Sequence, residues 1–103
     1  MKKTSIGFLE KDTFPVTGPV EVFPQKGGWF YVSVPKKYTE MTKDLADRCL
    51  VAITATVGSS SWSTSLLPMG DGTQFIALPA KIRKKEQIEL GDKIQISFVL
   101  RER

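Results

Sequence analysis

The segment Gly28-Trp29-Phe30-Tyr31-Val32-Ser33-Val34-Pro35-Lys36-Lys37-Tyr38 can be laid without a gap over Gly72-Thr73-Gln74-Phe75-Ile76-Ala77-Leu78-Pro79-Ala80-Lys81-Ile82. Gly28 meets Gly72, Tyr31 meets Phe75, Val32 meets Ile76, Val34 meets Leu78, Pro35 meets Pro79 and Lys37 meets Lys81. Each copy carries the same physical instructions. A run rich in β-branched and aromatic residues makes a strand. A proline, which cannot donate to a ladder and holds the preceding residue extended, stops it. The same proline suits the first position of a short helix, and Tyr38 or Ile82 then turns an apolar side chain inward. A further strand follows in both halves, Leu50–Val57 and Lys93–Leu100, although the connections before them match poorly and imply an insertion or deletion. The competing explanation is chance likeness, since prolines often follow strands.

Two copies are too few for a solenoid. They suffice for a closed, pseudo-symmetric barrel in which each half covers the other's apolar face and few edges stay open. The expectation is a mainly β chain with short helices, forming a single β-barrel domain over residues 1–103. Length agrees, because 103 residues hold one domain with a modest core. A hydrophobic share of 41% with 25% charged residues is that of a globular chain.

Around the repeats, Ser5–Glu10 alternates as a first strand would, and Val20–Phe23 reads as a short strand. Thr13–Pro19, with two prolines and a glycine, reads as a loop. Lys26–Gly28 is a turn, and Thr42–Asp47 is either helical or irregular. Gly58 ends the strand begun at Leu50, and Ser59, Ser60 and Ser61 make a polar turn into Trp62–Leu66. Pro68–Gly72 is a second turn, with the Asp71-Gly72 dipeptide typical of one. Leu90-Gly91-Asp92 leads into the last strand, where Ile94, Ile96 and Phe98 share one face.

Leu78-Pro79-Ala80-Lys81-Ile82-Arg83, followed by Ile88-Glu89-Leu90-Gly91-Asp92-Lys93-Ile94, resembles the strand-proline-helix-Gly-Asp-strand signature of AbrB-type swapped-hairpin domains, which include transition-state regulators and MazE-type antitoxins. The whole chain more closely resembles an uncharacterised bacterial family with an AbrB-like double-split β-barrel, found alone or ahead of a YdeI/OmpD-associated domain. The residues that carry this closer likeness are Gly28–Pro35, Ser65–Gly72, Arg83 and Gly91-Asp92. The resemblance implies a double-split barrel built from two internally repeated halves, and it imports no activity. AbrB-type DNA binders pair as homodimers to create a basic face. A chain holding both halves is therefore expected to be a monomer.

The residues for most covalent chemistry are missing. There is no histidine, so Ser-His-Asp and Cys-His arrangements are excluded. Ser59, Ser60, Ser61 and Ser63 lie in no Gly-x-Ser-x-Gly elbow. One cysteine, Cys49, makes neither an intrachain disulfide nor a zinc site, and its place at a strand entrance fits a buried small hydrophobe. Asp71 and Asp92 adjoin glycines but match no calcium loop, and Gly70-Asp71-Gly72 is not a phosphate-binding loop. The chain is therefore expected to be no enzyme and to use no cofactor or metal. Neither a secretory signal nor an apolar run of membrane-spanning length is present, so the expected location is cytoplasmic.

What remains is charge. Fifteen Lys and Arg against 11 Asp and Glu leave +4, which favours a polyanionic partner. The cluster Lys81, Arg83, Lys84 and Lys85 lies on one helix, with Lys36 and Lys37 in the matching place of the first copy. Paired basic patches of this kind contact phosphates. Read the other way, they are solvated helix faces partly neutralised by Glu86 and Glu89. Trp29, Phe30, Tyr31 and Trp62 suit base stacking, although a core this small needs at least half of its aromatics. The expected function is a non-catalytic binding module, first for DNA through the basic residues. The alternatives are a protein-interaction module, or a small-molecule-binding barrel marked by an apolar cavity.

Overall fold

The structure is a computed structural model that describes residues 13–24, 28–46 and 50–101. Seven strands form one antiparallel sheet: β1 (Phe14–Pro19), β2 (Glu21–Val22), β3 (Phe30–Val34), β4 (Val51–Val57), β5 (Ser60–Pro68), β6 (Gln74–Ala77) and β7 (Lys93–Leu100). Helix α1 (Lys36–Thr42) follows β3 and runs into a 3₁₀ turn at Lys43–Leu45, while α2 (Ala80–Glu86) follows β6. The strand order is β1-β7-β4-β5-β6-β3-β2. Only Val20 separates β1 from β2, so the two ends of that order are one bent strand and the sheet nearly closes into a barrel. Near-closure of this kind leaves little of the open edge that a flat sheet of seven strands would expose, chiefly the unpaired side of β1.

The side chains that fill the barrel come from almost every strand. Val16, Val32, Ile53, Leu66, Ile76, Ile96 and Phe98 are buried completely or nearly so, with Val20 at the β1–β2 bend. In β7 the alternation is as expected: Ile96 and Phe98 are buried while Lys93 and Gln95 are exposed.

Both strand-proline-helix units are present. Pro35 (φ −57°, ψ 147°) and Pro79 (φ −62°, ψ 149°) are extended and stand immediately before their helices rather than inside them. β3 and β6 pair antiparallel, with Val32 opposite Ile76, Tyr31 opposite Ala77 and Ser33 opposite Phe75. On the far wall β4 and β7 pair antiparallel, with Thr56 opposite Ser97. Each helix is pinned at its own end of the barrel. Tyr38 of α1 packs edge-on to Phe14 and Phe98 and donates its hydroxyl to the Pro15 carbonyl at 2.9 Å. Ile82 of α2 is buried, and Glu86 accepts from Ser60 Oγ at 2.6 Å in the β4–β5 hairpin.

Two local expectations are corrected, and one left open between two alternatives is decided. Thr13–Pro19 is not a loop, because Phe14–Pro19 is a strand along β7. Its prolines are four residues apart and so lack donors on the same side, which a strand at the end of the sheet order tolerates. Ser60 and Ser61 belong to β5, leaving Gly58 and Ser59 as the whole β4–β5 turn. Thr42–Leu45 is helical, the end of α1 and its 3₁₀ extension. Ser5–Glu10, Lys26, Gly27 and Cys49 lie outside the described residues.

Candidate functional site

Helix α2 distributes its side chains by period. Ile82 and Glu86, four apart, face the barrel, whereas Ala80, Arg83, Lys84 and Gln87 share the side that lines a surface groove. Lys81, Lys84 and Lys85 are exposed. The helix ends in a Schellman arrangement. Gln87 takes a left-handed φ of 56°, its N–H reaches the Lys84 carbonyl, and the Ile88 N–H reaches the Arg83 carbonyl at 2.9 Å. Three cations in the last turn also suit the negative end of the helix dipole.

Arg83 is no free surface cation. Its guanidinium lies over the Phe30 ring, 3.8 Å from the centroid, and its Nε donates to the Leu78 carbonyl at 3.1 Å. Phe30 comes from β3, opposite Leu78 across the ladder, so the contact joins one strand-proline-helix unit to the other. Trp29 precedes Phe30 and is 57% exposed. A groove of about 350 Å³ runs between them, walled by Trp29, Phe30, Leu78, Pro79, Ala80 and Arg83. A second, wider groove of about 570 Å³ shares the Ala80 and Arg83 walls and continues past Lys84 to Glu89. The two form one track, aromatic at one end and charged along its middle.

The six cations singled out in the sequence fall into two groups. Lys36 and Lys37 start α1 beyond Val34, which pairs with Gln74; Lys81–Lys85 lie beyond Leu78, next to Phe30. The helices thus leave opposite ends of the β3–β6 ladder, with roughly 13 Å between their starts at about 3.3 Å per residue. Lys36 and Lys37 are exposed, and Lys37 Nζ lies 5.2 Å from the Tyr38 ring centroid. Among the described residues the only ion pair is Lys43–Glu40 at 3.9 Å, so no described carboxylate pairs with the lysines of α2.

The aromatic residues divide as well. Tyr31 is stacked on Phe23 with ring centroids 4.2 Å apart and meets Phe75 edge-on, while half-buried Trp62 packs against the core. Burial and the nearby Glu21 carboxylate push the Tyr31 hydroxyl above its ordinary pKa. Among the described aromatic residues only Trp29 stands free to meet a flat ligand. Trp29 is among the stacking candidates of the sequence, but its link to Arg83 is not, because nothing local joins residues so far apart along the chain.

The serines act as anchors. Ser60 and Ser59 donate to Glu86 Oε2 at 2.6 and 3.3 Å, and the Ser60 bond chiefly holds the Glu86 carboxyl below its usual range. Asp71 is lowered by the Thr73 hydroxyl and backbone N–H that cap it within its turn. Among the described residues no three of Asp, Glu, Cys and His converge as a metal ion requires. Nor is any described helix long and apolar enough to cross a membrane.

No curated protein matches the chain. The family model described as a domain of unknown function, DUF1905, matches residues 17–98, most of the chain, and the chain therefore belongs to that family.

Proposed function

We propose that the chain is a non-catalytic nucleic-acid-binding module that holds the phosphate backbone of DNA on α2. One observation carries this reading: Lys81, Lys84 and Lys85 stand exposed around Arg83 on a single helix, with no described carboxylate in ion-pair contact. Exposed lysines release counterions when they meet phosphates, and such contacts carry no base information. Binding is expected at about 10⁻⁴ to 10⁻⁶ M near physiological salt, with a log-log salt slope of roughly −3 to −4 for three or four contacts. Lys36 and Lys37, at the other end of the ladder, add a second and weaker patch.

The same proposal includes the architecture behind it. The two strand-proline-helix units are read as copies of one unit, and the barrel as the double-split, AbrB-like type. Support comes from the registers. Val32 and Ile76, matched between the copies, are also ladder partners, as a two-fold axis between copies requires. Because the strand order nearly closes within one chain, the module works as a monomer, without the dimer that single AbrB-type halves need.

The test is fluorescence anisotropy with labelled DNA of arbitrary sequence across a salt series. Lys81→Ala, Lys84→Ala and Lys85→Ala combined should weaken binding to all sequences alike and flatten the slope. Arg83 is left intact because it packs on Phe30. Absence of binding at about 50 mM salt, where the counterion effect is strong, would overturn the proposal. Sedimentation of a stable dimer would overturn the monomer.

A further inference from the structure

We propose that the groove between Trp29 and Arg83 receives an unpaired nucleobase, so that the module prefers single strands to duplex; this rests on the nucleic-acid reading above. A domain this small gains by burying its aromatics, yet Trp29 leaves 57% of its surface in water beside a groove of about 350 Å³. Arg83 lines the same groove, and it is held in place before any ligand arrives. Phe30 supports its guanidinium from one side and the Leu78 carbonyl holds Nε, so little side-chain freedom is lost on binding. Its remaining N–H groups make no hydrogen bond to a described residue, which leaves donors for a base edge or a phosphate.

The neighbourhood fits an alternating ligand. From the aromatic wall the track passes Arg83 to exposed Lys84, and a single strand offers the matching sequence of flat apolar base and anionic phosphate. A duplex presents only base edges in its grooves and hides the faces that an indole would stack on. An anionic membrane would also attract a tryptophan among lysines. It would use apolar side chains that protrude, however, and the groove's pinned Arg83 wall suits a planar insert instead.

The experiment compares a short labelled oligothymidylate with a duplex of equal length, using the full chain, Trp29→Ala and Trp29→Phe. Circular dichroism checks that each variant folds, as an exposed position should allow. The oligothymidylate should bind tighter than the duplex and quench indole fluorescence. Trp29→Ala should lower single-strand affinity about 5- to 150-fold, the range of one lost base stack, and leave duplex affinity unchanged. Trp29→Phe should retain most of the affinity and lose the quenching. Equal affinity for both nucleic acids, or equal loss on both in Trp29→Ala, overturns the base site and leaves the phosphate reading standing. Failure to bind either nucleic acid overturns both readings. Trp29-dependent binding to phosphatidylserine vesicles without binding to either nucleic acid assigns the surface to membranes and overturns them as well.

Discussion

Val32 and Ile76 face each other across the β3–β6 ladder, and neither exposes any surface. Their neighbours complement one another in size: Tyr31 stands opposite Ala77, and Phe75 opposite Ser33. These four side chains lie on the opposite face of the ladder from Val32 and Ile76, where the Tyr31 and Phe75 rings pack edge-on beside their small partners.

Truncation at this pair should be among the most damaging changes in the barrel. Ile76→Ala is expected to cost about 2–5 kcal/mol, the range for buried Ile to Ala, and Ile76→Val about 0.5–1.5 kcal/mol. Because the two residues are directly opposed in the buried ladder, Val32→Ala combined with Ile76→Ala should deviate from additivity by roughly 0.5 kcal/mol or more. Urea denaturation of the four proteins measures this. Additive losses would mean that the pair does not share its packing.

Tyr38 should reveal how firmly α1 is tied to the barrel. Its ring is buried between Phe14 and Phe98, and its hydroxyl satisfies the Pro15 carbonyl. Tyr38→Phe keeps the ring and removes one hydrogen bond, for an expected loss of about 0.5–1.5 kcal/mol. Tyr38→Ala also empties the aromatic site and should cost about 3–5 kcal/mol by analogy with Phe truncations. Similar losses in both variants would show that the hydroxyl, not the ring, anchors the helix.

These packed elements are also the ones most legible in the sequence. Pro35 and Pro79, each after a β-branched run, locate two strand ends and two helix starts from local chemistry alone. Thr13–Pro19 misleads because prolines argue against a strand interior, and only the tertiary arrangement gives β1 the open side that excuses them. Ser60 and Ser61 mislead because serine favours turns, whereas the cross-strand register from Val57–Ser60 to Val51–Leu66 places them in β5. The basic cluster was legible as composition. Its division into a groove wall at Arg83, an anchor at Glu86 and solvent-facing lysines comes from contacts with Phe30 and Ser60, which no local pattern encodes.

Gln87 is the one non-glycine residue among the described ones with positive φ. It closes α2 in a position where a Cβ is sterically disfavoured by roughly 1–2 kcal/mol. Gln87→Gly should therefore stabilise the domain by about 1 kcal/mol, the greater backbone freedom of unfolded glycine offsetting part of the relief. Thermal and urea unfolding check the sign. A loss of stability would mean that the Gln87 side chain contributes contacts that outweigh its backbone cost.

Gly58 should tolerate no side chain. Its φ of 57° suits the first central position of a type II′ hairpin, and a Cβ there would meet the Glu86 carboxylate. Gly58→Ala is expected to lose roughly 1–2 kcal/mol from the backbone alone. Adding Glu86→Ala should recover only the part of the loss due to collision. Full recovery would assign the whole cost to crowding, and none would assign it to φ.

Glu86 also gives the domain a defined acid response. Ser60 donates most strongly to its carboxylate, Ser59 and Lys85 assist, and partial burial opposes them, so the folded pKa lies below the ordinary 4.5. A depressed folded value means that the carboxylate stabilises the fold fully above about 4.5. That contribution fades as pH falls through the lower, folded value. Glu86→Gln keeps an acceptor oxygen but loses the charge. Relative to it, the native chain should be more stable at neutral pH, and the gap should close below pH 4.5 as Glu86 becomes neutral too. Asp71 titrates low for its own reason, through Thr73, so the acid lability of the native chain alone does not isolate Glu86. The difference between the two proteins does, since Asp71 is common to both. Ser60→Ala should return the Glu86 carboxyl toward its ordinary range in a carbon-13 NMR titration and narrow the gap further. A gap between native chain and Glu86→Gln that stays constant from neutral pH to well below 4.5 would show that the ionised carboxylate does not hold α2 to the β4–β5 hairpin.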